Sequence, residues 1–182
     1  MNTYIALLRG INVGGNNKLP MKELRALLEE IGLKHVQTYI QSGNIVFQSE
    51  RADVAALCEE ITATIERTYS FAPATLLLTG QQLDAAIAAN PFQQEAEEDH
   101  RSLHFFFLDP IPENPDLEAV EALRSNDERF ALIDNVFYLY APVGIGRSKL
   151  AERFGRGWHV NITARNWRTV CKLKEMVEEA AG

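Results

Sequence analysis

The chain has 182 residues, with 18 Lys and Arg against 25 Asp and Glu, a net charge of −7, and 46% hydrophobic and 24% charged residues. These are the values of a globular chain and exclude disorder, collagen and coiled coil; at this length roughly 70% of the unfolded surface can be buried, in one large core or two small ones. Cys58 and Cys171 are too few for a disulfide scaffold or a thiolate metal cage, and no apolar run reaches the roughly 20 residues of a membrane helix.

In chain order, the apolar run Tyr4–Leu8 reads as a strand. It meets Arg9 too soon to be a signal peptide. A Gly/Asn-rich loop, Arg9 to Lys18, follows. Pro20 suits the first turn of a helix, Met21, Leu24, Leu27, Leu28 and Ile31 recur at helical spacing, and Gly32 closes it. Val36–Gln41 and Asn44–Phe47 flank Ser42-Gly43 as a hairpin. Val54, Leu57, Cys58, Ile61 and Ile65 stripe a second helix, Ala74–Leu78 is a strand and Leu83–Ala89 a short helix. The order β-α-β-β-α-β is the ferredoxin-like one. Residues 92–101 read as an acidic, turn-prone connection between a subdomain at 1–91 and another at 102–182.

In the second half Leu103–Leu108 is apolar on both faces, as a central strand is. Leu117, Val120 and Leu123 stripe a helix, and Phe130–Ile133 and Val136–Tyr140 flank the Asp134-Asn135 turn. Gly144 to Lys149 leads into a short helix, and a long final helix is predicted from near Thr163. The half reads β-α-β-β-α with its last strand unassigned. The expectation is an α+β chain of two ferredoxin-like (βαββαβ-type) subdomains packed together, with antiparallel sheets and helices on one face.

Charge is uneven along the chain. Residues 50–141 carry 5 basic and 18 acidic groups, net −13, whereas residues 142–174 carry 8 basic groups against Glu152 alone, net +7. A basic segment on an acidic chain suggests a local anion site, or else a solvated helix face. Familiar chemistry is missing. Gly10, Gly14 and Gly15 are not spaced as a dinucleotide fingerprint, Gln41-Ser42-Gly43 is not a nucleophile elbow, and His35, His100, His104 and His159 form no metal-binding pattern. Cys58 and Cys171 sit on apolar helical stripes, as structural thiols do.

Three polar stretches carry candidate sites. In the Arg9–Lys18 loop the glycines free backbone N–H groups, and Arg9 and Lys18 complete an anion cradle; alternatively the glycines serve only turn geometry. In Gly144–Lys149, Ser148 caps the next helix while Gly146, Arg147 and Lys149 approach a ligand, or the lysine is incidental. In Thr163–Val170, helical geometry places Arg165, Arg168 and Lys172 within one arc of about 60°. Asn166 then faces the apolar side and pins a neighbouring loop, and Trp167 anchors the core.

Leu8-Arg9-Gly10-Ile11-Asn12-Val13-Gly14-Gly15 with Lys18, Met21 and Leu24, then Thr38 to Asn44, and finally Thr163 with Arg165-Asn166-Trp167 and Thr169-Val170, resemble the bacterial Domain of Unknown Function 1697 family. Where that family commonly reads Thr-Thr-Arg-Asn-Trp-Asn-Thr, this chain has Ala164 and Arg168. The resemblance implies the same two-subdomain fold, no assigned activity, and motif positions at Arg9, Gly10, Asn12, Gly14, Gly15, Lys18, Ser42, Gly43, Asn44, Arg165, Asn166, Trp167 and Thr169.

The sequence thus predicts a cytoplasmic bacterial protein without cofactor, metal or membrane segment. It binds an anionic, phosphorylated small molecule in an inter-subdomain cleft. Arg9, Gly14, Gly15, Lys18, Arg165 and Arg168 hold the anion, and Asn12, Ser42, Gly43, Asn44, Asn166 and Trp167 support them. The alternative is an enzyme acting on a phosphorylated metabolite without a covalent intermediate, with His159 the nearest titratable group. A single-stranded nucleic-acid binder is disfavoured, because the net −13 over 50–141 repels a polyanion.

Overall fold

Eight apolar runs pair into two four-stranded antiparallel sheets. The structure, a computed structural model, describes residues 1–181 and divides into two compact units: Met1–Asp84 with the segment from Lys172, and Ala85–Cys171.

In the first unit β1 (Asn2–Arg9) leads through α1 (Met21–Glu30) to the hairpin β2 (Lys34–Tyr39) and β3 (Asn44–Ser49), then through α2 (Val54–Tyr69) to β4 (Ala74–Thr79). The sheet order is β2-β3-β1-β4, the ferredoxin-like arrangement. Pairing register explains the core. Tyr4, Ala6 and Leu8 share one face of β1 with Ile45 and Phe47 of β3, and Leu24 and Leu28 of α1 and Leu57, Ile61 and Ile65 of α2 cover that face. The opposite face, with Ile5, Leu7, Val46 and Leu76, is buried as well, so β1 is apolar throughout rather than alternating.

The second unit repeats the plan. After α3 (Gly80–Ala88) and α4 (Gln93–Glu98), β5 (Leu103–Asp109) leads through α5 (Leu117–Glu121) to β6 (Arg129–Ile133) and β7 (Val136–Tyr140). A 3-10 turn at Ile145–Arg147 and α6 (Lys149–Arg153) precede β8 (Asn161–Asn166), and α7 (Trp167–Ala181) ends the described chain. The order β6-β7-β5-β8 matches that of the first sheet, and β5 is central as its sequence implies. Its helix-facing core is aromatic. Phe137 stacks on Phe154 with centroids 3.8 Å apart, and Phe106 meets both edge-to-face.

Two sequence expectations are corrected. The final helix begins at Trp167, not near Thr163, because Asn161–Asn166 is the missing fourth strand, paired from Asn166↔His104 to Asn161↔Asp109. The acidic connection is helical over Gln93–Glu98. Glu95 pairs with Arg129, whose guanidinium lies over the rings of Phe92 and Tyr140 at 5.3 and 4.8 Å.

Candidate functional site

The loop after β1 is shaped by asparagine and glycine. Gly10, Asn12, Gly14, Gly15 and Asn17 all have positive φ, a region that costs a residue bearing a Cβ about 1–2 kcal/mol unless, like Asn, it gains local hydrogen bonds. Asn12 gains three. Its Nδ2 donates to Leu19 O and Gln41 O, both at 2.9 Å, and its Oδ1 accepts from Leu19 N at 2.8 Å. Asn17 Nδ2 donates to Gly10 O at 2.8 Å, and the Asn12 N–H to Asn17 O at 3.1 Å. Within this ring Asn16 N–H donates to Val13 O, so Gly14 and Gly15 form the tip of a tight turn of the primed kind. This turn leaves both glycines on the surface. Arg9 and Lys18, where the loop begins and ends, are exposed too.

The hairpin turn between β2 and β3 holds this loop in place. Leu8 N–H donates to Gly43 O at 2.8 Å, and a Cβ on Gly43 would stand 2.6 Å from Leu8 Cβ. The fully buried Asn44 donates through Nδ2 to Tyr39 O and to Ser42 Oγ, at 3.1 and 2.9 Å. Through these contacts and the Asn12–Gln41 bond, the first unit brings Arg9, Asn12, Gly14, Gly15, Lys18, Ser42, Gly43 and Asn44 into one loop cluster. Asn12, Ser42, Gly43 and Asn44 are its scaffold. The charged groups over residues 1–22 are Arg9, Lys18 and Lys22, with no acidic residue among them.

In the second unit Arg165, Asn166, Trp167 and Arg168 lie at the β8–α7 junction. The expected arc of Arg165, Arg168 and Lys172 does not form, because Arg165 is on a strand. It is 8% exposed and donates to Ala164 O at 2.8 Å, while Arg168 is exposed on the first helical turn. Burial draws the Arg165 guanidinium down to about 10, so it stays cationic at neutral pH. The Asn166 Oδ1 accepts from Thr169 N at 2.9 Å and caps α7. The Trp167 ring packs against Phe105 at 5.5 Å. Ser148 caps α6 as its sequence position implies, accepting from Ala151 N. His159 is exposed in the turn before β8. The two thiols are half-buried rather than buried, and Cys58 Sγ donates to Thr75 O.

Sequence reasoning passed over Asn17, whose place in an Asn/Gly-rich loop was a usable signal, and the state of His104. Burial on β5 pushes the His104 imidazole down to about 4, against a weaker opposing effect of a hydrogen bond with the Ser102 backbone. Its pKa therefore lies below the unfolded value, and the unfolded chain takes up the proton first as pH falls. Stability is full above about 6.5 and declines toward 4. Denaturant titrations should show a loss of about 2 kcal/mol between pH 7 and 5, and His104→Gln should flatten that slope. An unchanged slope in the variant would show that other groups carry it. Among the described residues no cluster of His, Cys, Asp or Glu suited to a metal ion is present, and no helix is long and apolar enough to cross a membrane.

Fold and site together define an α+β protein of two ferredoxin-like units, with its polar motifs in a scaffolded loop and at a strand-to-helix junction. The chain belongs to the family described as "Protein of unknown function (DUF1697)", whose model matches residues 1–138, a span that holds the loop cluster and ends before Arg165. Among solved structures it is similar to the conserved bacterial protein SP0830 from Streptococcus pneumoniae, at 30% identity and a TM-score of 0.74, over 97% of this chain and 98% of that one. Comparison with curated proteins gives no match.

Proposed function

We propose that this is a cytoplasmic bacterial binding protein for an anionic, phosphorylated small molecule, held at the Arg9–Lys18 loop. Arg9 and Lys18 supply the charge, and the Gly14–Gly15 tip supplies backbone N–H groups. The observation that carries this reading is a surface loop of one sign of charge whose shape is fixed by Asn12 before any ligand arrives, since preorganised donors spare the ordering cost of binding. Binding is favoured over turnover because residues 9–22 contain no carboxylate or histidine to act as a general base. Arg165, buried and bonded within its own strand, is assigned to the β8–α7 junction rather than to the ligand. Two cysteines, too few for a disulfide scaffold, suit a reducing compartment.

Thermal unfolding with inorganic phosphate, a sugar phosphate and a nucleoside monophosphate tests the proposal. A ligand at 100 times its Kd adds about 2.7 kcal/mol of stability. Arg9→Gln and Lys18→Gln are each expected to weaken binding about tenfold, the value of one charge-assisted hydrogen bond. Wild-type affinity in both variants, or no stabilisation by any of the three probes, rejects the site.

A further inference from the structure

The basic stretch Gly144–Lys149, which the loop site leaves unused, borders a pocket of its own. An open hollow of about 510 Å³ lies on the helix-covered side of the second sheet. Phe106 and Ala164 are directly opposite each other in the β5–β8 register and form its floor, and Ile145 and Ala151 contribute apolar walls. Arg147 and Lys149 stand on the rim with Ser148 and Glu152. Both cations are exposed, and neither forms an ion pair among the described residues, while Glu152 is turned to Arg156 at 3.8 Å.

The rim is built in advance. Gly144 has φ 100° and ψ 140°, backbone that a residue with a Cβ rarely adopts, and its N–H donates to Ala141 O at 3.0 Å. Arg147 N–H returns to Gly144 O at 3.2 Å, and the Ser148 hydroxyl accepts from Ala151 N at 2.9 Å. A Cβ placed on Gly146 would meet nothing within 4 Å, so the rim is open above that residue. The floor is recessed because position 164 is alanine; a longer side chain there would fill it.

We propose that this pocket binds an aromatic acid: a flat ring on Phe106 and Ala164, with a carboxylate or phosphate between Arg147 and Lys149. The pairing follows from the two surfaces. A bare phosphate leaves the apolar floor wet, and a neutral ring leaves two cations without a counter-charge. The volume lies within the roughly 300–1,000 Å³ of small-molecule sites. The proposal is independent of the Arg9–Lys18 loop, and different residues report on each.

Backbone-amide NMR of the full chain, titrated with 2-naphthoate, 2-naphthylmethanol and inorganic phosphate, tests it. Naphthoate should shift the signals of Ile145–Glu152, Phe106 and Ala164, and the alcohol and phosphate should bind at least about tenfold more weakly, the value of one lost charged or apolar contact. Ala164→Leu should abolish the naphthoate shifts. The double variant Arg147→Gln/Lys149→Gln, which alters only exposed side chains, should weaken binding about tenfold or more while keeping the wild-type spectrum elsewhere. Naphthoate and alcohol of equal affinity, shifts outside these residues, or undiminished binding in the double variant would overturn the assignment.

Discussion

Gly43→Ala is expected to destabilise the protein by about 3 kcal/mol or more, combining about 1–3 for overpacking with about 1–2 for the left-handed backbone. The added methyl would stand 2.6 Å from Leu8 Cβ, 2.9 Å from Ile11 Cδ1 and 3.3 Å from Leu8 Cα, at φ +78°. Leu8 is in a central strand and completely buried, so neither its Cβ nor its backbone can yield without breaking the β1–β3 ladder. Gly155→Ala is the control. Its Cβ would come still nearer to an atom, 2.2 Å, but that atom is the terminal methyl of Ile162, a half-buried side chain that can rotate away. That substitution should cost about half as much. Urea midpoints of the two variants decide the matter. A Gly43→Ala protein as stable as wild type would mean that the hairpin turn is not seated on β1 as described.

Asn12→Ala should cost about 3 kcal/mol, at about 1 kcal/mol for each of three hydrogen bonds, with a further penalty for alanine at positive φ. Asn12→Asp should be no better. It keeps the acceptor for Leu19 N, loses both donor bonds, and sets a carboxylate against the carbonyl oxygens of Leu19 and Gln41. Both variants should also lose phosphate-ester affinity, because the loop is no longer held in shape. Amide hydrogen exchange at Leu19 separates the two effects. Slow exchange at Leu19 in Asn12→Ala would show that the loop is held by something other than this side chain. Loss of ligand affinity with Leu19 still protected would place Asn12 in the site itself.

The elements legible in the sequence are those whose signal is local. The helical stripe from Met21 to Ile31, the hairpins around Ser42-Gly43 and Asp134-Asn135 and the Ser148 cap each follow from periodicity or turn chemistry within a dozen residues. The Arg9–Lys18 loop was visible as a cluster of glycine and asparagine, and its exposed cations lie where the sequence put them. The division of labour within it was not visible. That Asn12 binds Leu19 and Gln41, while Gly43 seats against Leu8, depends on two segments meeting about thirty residues apart.

The failure at Thr163–Asn166 has the same origin. Over six residues a period of two and a period of 3.6 fit the pattern Asn-Ile-Thr-Ala-Arg-Asn about equally, and the basic residues beyond it invited a continuous helix. Pairing with β5 decides for a strand, and in doing so turns Arg165 inward and separates it from the exposed Arg168. The helix in the acidic stretch is likewise supported by Arg129, more than thirty residues away, on Glu95 and Phe92. The sequence by itself determined the β-α-β-β-α-β order of the first half and the β-α-β-β-α order of the second, the apolar character of the central strands, and the family. Only the tertiary structure decided which strand closes the second sheet, which arginine is buried and which asparagine holds the loop, because each of those outcomes is set by a partner distant in the chain.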